Sequence, residues 1–206
     1  METSSPELEP VGGEYERLCL QVGHLFIMFG RLEGTLSSLL RLQMSHRLAG
    51  GAKRGTTKSK ESVKIAAAVY GSMRFQAARD TIKRLMDIQN LDPEHREGVD
   101  SIFIQMGHIQ ALRDALAHQQ IFKAYKDKLD VWYLSDVATT RAFKTAHFRV
   151  FHLSAIAHAT ADLDAATHLF GSEMIRREII AKPARFAEPQ PGQYKPSMLV
   201  QTHHST

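Results

Sequence analysis

A long apolar stripe near the start of the chain restricts the fold more than any other feature of the sequence. Its members recur alternately four and three positions apart and are Leu18, Val22, Leu25, Phe29, Leu32, Leu36 and Leu39. This spacing places them on one face of an α-helix, which we expect to cover residues 13–46. A long amphipathic helix is stabilised mainly by burying its apolar face, so the stripe predicts a helical domain.

Two further segments carry helical spacing in the first half of the chain. A second helix is expected over residues 62–89, although Gly71 and Ser72 interrupt its apolar pattern. A third helix is expected to begin at a capping carboxylate followed by Pro93, because proline suits the first helical position, where no amide donor is required. This helix is expected to end near Ala117.

The pattern changes after the third helix. Ile121–Tyr125 and Leu129–Leu134 are short runs rich in β-branched and aromatic residues, and they predict a β-hairpin. Helical spacing returns between Phe151 and Phe170 and predicts a fourth helix. Together these elements predict an all-α fold with a four-helix-bundle-like core and a short β-hairpin between helices three and four.

The domain organisation follows from the same pattern. We expect residues 1–12 to be a disordered N-terminus, residues 13–182 to form a single domain, and residues 183–206 to be a flexible proline-rich tail. A chain of 206 residues is long enough to build one hydrophobic core.

Composition restricts the compartment and the partners. The only cysteine is Cys19, which stands within the apolar pattern of the first helix, where we expect its thiol to be buried. No stretch approaches the roughly 18 uninterrupted apolar residues of a membrane span, and the N-terminus lacks the pattern of a secretion signal. We therefore expect a cytoplasmic protein with no membrane partner. A net charge of +4 permits binding to a phosphate backbone without requiring it.

The apolar spacing of the third helix continues to an arginine. The stripe consists of Val99, Ile102, Met106, Ile109 and Leu116, and Arg113 falls on it. A guanidinium stays charged in proteins, so an inward position requires a carboxylate, a phosphate-like ligand or a water-filled cleft. The alternative is that the side chain extends to water at the helix end. His118 closes the same helix.

The segment from Arg113 to His118 resembles the R-x-x-x-x-H motif of HEPN domains, in which a polar residue, here Asp114, usually follows the arginine. Chance alone supplies about one such spacing in a chain of this composition, and Arg41 and His46 share it. HEPN domains are helical bundles that carry the motif at the end of the third core helix. That position favours the pair Arg113 and His118.

The resemblance implies a metal-independent endoribonuclease. Arg113 would neutralise charge on the scissile phosphate, His118 would move the proton of the attacking 2′-hydroxyl or the leaving 5′-oxygen, and Asp114 would orient or polarise one of them. One histidine does not readily serve as base and acid at once, so a homodimer is part of the hypothesis. No cofactor or metal ion is expected, because no metal-binding or phosphate-loop motif occurs. A toxin, phage-defence or stress role with an antitoxin-like partner fits the same resemblance.

Other hypotheses remain open. The resemblance makes Glu33, in the first helix, a binding acid that faces the motif arginine, although an ordinary surface acid would look the same in sequence. A competing hypothesis is a non-catalytic dimerisation or protein-interaction module in which Arg113 and His118 form a structural pair. A third is nucleotide binding or toxin neutralisation without cleavage. Catalysis needs both side chains at one solvent-reachable cleft, whereas a structural pair would be dry and mutually bonded.

Overall fold

A computed structural model of the chain describes residues 12–50, 55–88, 93–123, 131–135, 147–171 and 202–203. The helices in these ranges are α1 (Gly12–Ala49), α2 (Thr57–Tyr70), α3 (Phe75–Ile88), α4 (Pro93–His118) and α5 (Leu153–Gly171). The strands are β1 (Gln120–Phe122), β2 (Val131–Ser135), β3 (His147–His152) and β4 (Thr202–His203). The predicted mostly α-helical fold is therefore confirmed.

The other helices pack around α1, which contacts α2, α3, α4 and α5. The predicted apolar stripe is its inner face. Val22 is partly buried against the core, and the other stripe residues are buried. Because burial of apolar surface is the main favourable contribution to folding, this face explains why a helix from residue 12 to residue 49 is stable here.

The second predicted helix is in fact two helices, α2 and α3, so the single helix over 62–89 is wrong. The N–H of Gly71 closes α2 by donating to the carbonyl oxygen of Ala67 at 2.9 Å. A Cβ at position 71 would lie 2.4 Å from that same oxygen, so only glycine fits this close approach. The glycine that interrupts the apolar pattern therefore ends a helix.

Two side chains of α1 hold the turn between α2 and α3. The hydroxyl of Ser37 donates to the carbonyl oxygen of Met73 at 3.1 Å. The backbone N–H of Phe75, the first residue of α3, donates to Oε1 of Glu33 at 2.9 Å. A carboxylate that accepts from a free N–H at a helix start stabilises that start, so α1 fixes where α3 begins.

Four phenylalanine rings form a continuous chain through the core. Phe29 of α1 contacts Phe75 of α3 with ring centroids 5.6 Å apart. Phe75 contacts Phe103 of α4 at 6.3 Å, and Phe103 stacks on Phe170 of α5 at 5.5 Å. Such ring pairs stabilise a core beyond the apolar area that they bury, so they join four helices into one packed unit.

The predicted hairpin between the third and fourth predicted helices is confirmed. β1 and β2 pair antiparallel, with Gln120 opposite Ser135. Trp132 of β2 is buried, and its ring lies 5.5 Å from the ammonium of Lys123 and 6.4 Å from the ring of Tyr15. Lys123 also forms an ion pair with Glu14, so the hairpin packs on the first turns of α1.

The sheet contains two strands that the sequence did not predict. β3 pairs antiparallel with β2, and Phe151, predicted to begin the fourth helix, lies in this strand opposite Trp132. The helix itself, α5, begins two residues later at Leu153. β4 pairs with β3 through Thr202 and His203, which belong to the predicted tail. The rest of that tail, and residues 1–11 of the predicted N-terminus, lie outside the described residues.

Two compositional expectations have different outcomes. Cys19 is exposed, so the predicted burial of its thiol is wrong. The physical reason is helical geometry, because Leu18 occupies the inner face and the next residue points about 100° away from it. No helix in the described ranges is both long enough and apolar enough to cross a membrane.

Candidate functional site

Arg113 lies in the last turns of α4, where the helix passes from the core to the solvent-exposed surface. The apolar positions that share its stripe on α4 are all buried: Val99, Ile102, Met106, Ile109 and Leu116. Its own side chain retains 29% of its surface in contact with solvent. The side chain is therefore neither in the dry core nor freely hydrated, and its guanidinium needs specific partners.

Two aromatic rings of α1 form a surface under the guanidinium. The central carbon of the Arg113 guanidinium lies 5.2 Å from the ring centroid of Phe26 and 5.7 Å from that of Phe29. A planar cation over an aromatic face is attracted by the electron density of the ring. Because Phe29 belongs to the aromatic chain of the core, the position of Arg113 is coupled to the packing of four helices.

Asp114 supplies the carboxylate that an inward arginine requires. Nη1 of Arg113 donates to Oδ1 of Asp114 at 2.7 Å, and 42% of the aspartate side chain is exposed. The pair is open to solvent, so screening keeps its contribution to stability small. Its structural effect is to fix the direction of the guanidinium over the two rings.

One donor of Arg113 has no partner in the described part of the chain. Its Nε is buried and forms no hydrogen bond there. A buried donor without an acceptor costs about 1–3 kcal/mol. Because this atom is out of contact with solvent, an anion would have to meet the guanidinium at the exposed part of the side chain.

His118 is the last residue of α4, and its side chain is exposed. In the described residues the imidazole makes no hydrogen bond, ion pair or ring contact. Helical bonding continues past it, since the N–H of Gln119 donates to the carbonyl oxygen of Ala115 at 2.9 Å. His118 thus ends a regular helix, and no described residue occupies either of its ring nitrogens.

The arginine and the histidine do not face the same direction within one chain. Five residues of α-helix turn the side-chain direction by about 140° and advance about 7.5 Å along the axis. Arg113 points to α1, whereas His118 points to solvent. The structure therefore brings Arg113 and Asp114 together, and it places His118 at the helix end without contact to either.

Glu33 has a different task from the one that the resemblance implies. Its carboxylate accepts the N–H of Phe75, and in the described residues it forms no bond with Arg113. Its part in ligand binding stays a prediction.

The two rings beneath the arginine were not among the site residues predicted from the sequence. Phe29 is a member of the apolar stripe, and Phe26 lies three positions before it, where an α-helix presents both to the same side. The sequence contained one signal for this arrangement: an arginine on the apolar stripe of one helix, together with two phenylalanines three positions apart on the first helix.

A groove in the described residues lies elsewhere, between α1 and α5. Its volume is about 420 Å³, and its lining residues are Gln21, His24, Met28, Arg31, Ala157, Thr160, Ala161 and Asp164. Neither Arg113 nor His118 lines it. No group of three metal-ligating side chains occurs in the described ranges.

Comparison with known proteins gives no independent assignment. The chain matches no protein-family model, no curated protein and no solved structure. The HEPN resemblance therefore rests on the motif alone, because α4, which carries it, is the fourth helix of the chain and not the third as predicted. The function has to be argued from the residues themselves.

Proposed function

We propose that this protein is a metal-independent endoribonuclease that cleaves RNA at the end of α4. One observation carries the proposal. A partly exposed guanidinium lies over two aromatic rings and is bonded to Asp114, on a helix whose last residue is an exposed histidine. A dry, mutually bonded pair, the arrangement expected for a purely structural motif, is not what Arg113 and His118 form.

Arg113 acts on the phosphate. Its guanidinium presents parallel N–H donors, a geometry that matches two oxygens of a phosphodiester. Negative charge on these oxygens increases as the phosphorus becomes pentacoordinate. An oriented cation therefore stabilises the transition state more than it stabilises the ground state. Asp114 and the rings of Phe26 and Phe29 hold the cation in place before the substrate binds.

His118 acts on the protons. As a base, its imidazole accepts the proton of the ribose 2′-hydroxyl while the 2′-oxygen forms a bond to phosphorus. The bond from phosphorus to the 5′-oxygen breaks, and that oxygen takes a proton from an imidazolium. The products are a 2′,3′-cyclic phosphate and a 5′-hydroxyl. RNA is the substrate because the nucleophile is its own 2′-hydroxyl.

A second copy of the chain completes the site. The reaction needs a base and an acid, and one chain supplies one motif histidine that points about 140° away from its own arginine. A homodimer that brings two α4 ends together offers His118 of one copy to a phosphate held by Arg113 of the other. The biological setting that fits is a cytoplasmic toxin, phage-defence or stress-response nuclease, with an antitoxin-like protein as a further partner.

The test is cleavage of a mixed RNA substrate in excess EDTA by the wild-type protein and by His118→Ala. We expect the wild type to leave 2′,3′-cyclic phosphate ends, which phosphatase treatment does not remove unless the ring is first opened by acid. We expect His118→Ala to leave the RNA intact. Equal cleavage by both proteins would refute the role of His118, and an inactive wild type would overturn the proposal.

A non-catalytic dimerisation or protein-interaction module is the second candidate. The exposed apolar residues Leu20 and Ile27 on the outer side of α1 favour it, since such residues are typical of a contact surface. A protein that associates through α1 and cleaves no RNA would support this candidate over the nuclease.

A further inference from the structure

The outer side of α1 carries a second regular stripe, opposite the buried one. Its residues recur three and four positions apart and are Gly13, Glu16, Leu20, Gly23, Ile27, Gly30 and Gly34. Leu20 is 69% exposed and Ile27 is 64% exposed. We call these seven positions the outer stripe. It combines two large apolar side chains with four glycines on the face of a helix that is already packed on its other side.

Packing within one chain does not explain the glycines of the outer stripe. A Cβ built at Gly23, Gly30 or Gly34 would meet nothing within 4 Å. Glycine in a helix interior is less stable than alanine, because it has more conformational freedom to lose. Positions that have room for a side chain and yet lack one let another backbone approach closely, as small residues do where helices pack tightly.

We infer that the outer stripe is the surface through which two copies of this chain associate, with their α1 helices antiparallel. A two-fold axis level with Leu25 sets the register. Leu20 of one copy then lies opposite Gly30 of the other, and Ile27 lies opposite Gly23. Each large side chain meets a position without a Cβ, which is knobs-into-holes packing produced by one sequence against itself.

Charges along one edge of the stripe fit the same register. Glu16 of one copy lies about 4.5 Å along the helix axis from Arg31 of the other, within reach of an ion pair. In the described residues, the side chain of Arg31 bonds only to the sulfur of Met28, at 3.5 Å, and forms no ion pair within one copy.

Within each copy, the formal charges on that edge sum to zero. Arg17 and His24 lie beside the stripe, and Asp164 of α5 lines the groove together with His24 and Arg31. With histidine neutral, the two acids Glu16 and Asp164 offset the two arginines. An acidic partner helix is therefore not required, and a second copy satisfies the surface.

This surface also deepens the proposed function, and that part of the inference rests on the nuclease proposal. The ring of Phe26 lies 5.2 Å from the central carbon of the Arg113 guanidinium. Phe26 is next to Leu25, the residue that is level with the two-fold axis. In the antiparallel arrangement the two copies of Phe26 lie on the same edge, next to the two-fold axis. Both Arg113 guanidiniums are then close to that axis, as a site shared between two copies requires.

Sedimentation or light scattering on the full chain tests the association. We expect a wild-type dimer, and we expect Leu20→Glu and Ile27→Glu to raise the dissociation constant about 100-fold or more, the size typical of a central interface residue. The matched control is Ile104→Glu on α4, where an isoleucine is 61% exposed away from the stripe, and it should leave the dimer intact. A wild-type monomer, or a control that dissociates equally, would overturn the inference.

Substitution of Gly30 separates folding from association. Gly30→Ala should raise the melting temperature of the monomeric Ile27→Glu variant by about 2–4 °C, because alanine is the better helix former. In the otherwise wild-type chain the same change should weaken the dimer, because the added Cβ occupies the space for Leu20 of the second copy. A stronger or unchanged dimer would exclude close packing at this glycine.

Disulfide trapping tests the register. In a Cys19→Ser background, the double variant Leu20→Cys/Gly30→Cys should form covalent dimers on oxidation, whereas either single variant should not. Efficient crosslinking of Leu20→Cys alone would indicate parallel helices and overturn the register. RNA cleavage by the dissociating variants Leu20→Glu and Ile27→Glu distinguishes the two proposals. A wild-type dimer that cleaves nothing refutes the nuclease and leaves the surface intact, whereas a monomeric variant that still cleaves at the wild-type rate refutes the site shared between two copies.

Discussion

The chain contains two arginine–histidine pairs with the same spacing on two helices, and the two pairs differ in burial and in their contacts. Arg113 and His118 lie at the end of α4, and Arg41 and His46 lie near the end of α1. Arg113 is partly buried over two aromatic rings and bonded to Asp114. The side chains of Arg41 and His46 are both exposed and share no hydrogen bond, ion pair or ring contact with any described residue.

The five-residue spacing between an arginine and a histidine is therefore not sufficient to form a binding site. An exposed guanidinium on a long flexible side chain loses conformational entropy whenever it binds, and water screens its charge. A guanidinium already fixed by rings and a carboxylate loses less, which is the physical content of preorganisation. We therefore expect Arg113, rather than Arg41, to bind an anion, and the pair on α1 is a natural internal control.

The largest effects should come from removing the α4 pair. We expect Arg113→Ala and His118→Ala each to lower RNA cleavage at least about 100-fold, the scale of a lost charge-stabilising donor or a lost proton carrier. Arg41→Ala and His46→Ala should change the rate less than about twofold, because an exposed surface substitution of this kind has little effect. Initial rates on a fluorescent RNA measure both pairs. Equal losses at both helices would break the comparison.

An intermediate effect on stability is expected at Glu33. Glu33→Ala should lower the free energy of unfolding by about 1 kcal/mol, because the N–H that begins α3 loses its acceptor. Glu33→Gln keeps an acceptor oxygen and should lose less. Denaturant unfolding measures both variants. If Glu33 instead assists Arg113 at the site, Glu33→Gln will reduce cleavage while leaving stability nearly unchanged.

The smallest effect should come from the ring that distinguishes Arg113 from Arg41. Phe26→Leu keeps an apolar side chain on the partly buried surface but removes the aromatic face under the guanidinium. We expect cleavage to fall about fivefold, corresponding to about 1 kcal/mol of cation–π attraction. The Michaelis constant and the turnover number, measured separately, show whether the ring aids binding or the reaction. No change in either would mean that Asp114 alone orients the arginine.

Periodicity predicted the helices well where one apolar face was long and uninterrupted. The stripe from Leu18 to Leu39 predicted α1, and the proline at 93 marked the start of α4. It failed where two helices shared one apparent pattern, because the break between α2 and α3 depends on contacts from Glu33 and Ser37 of another helix. β3 was missed because the helical spacing of the fourth helix was taken to begin at Phe151, which lies inside this strand.

For the candidate site, the sequence by itself determined which residue types stand at which spacing, including an arginine on an apolar stripe and a histidine at the helix end. Only the tertiary structure decided what surrounds them. Phe26 and Phe29 lie more than 80 positions before Arg113 in the chain, and it is helix packing that brings them beneath it. Local periodicity records which face of a helix is buried, but the identity of the neighbour across that face is a property of the assembled core.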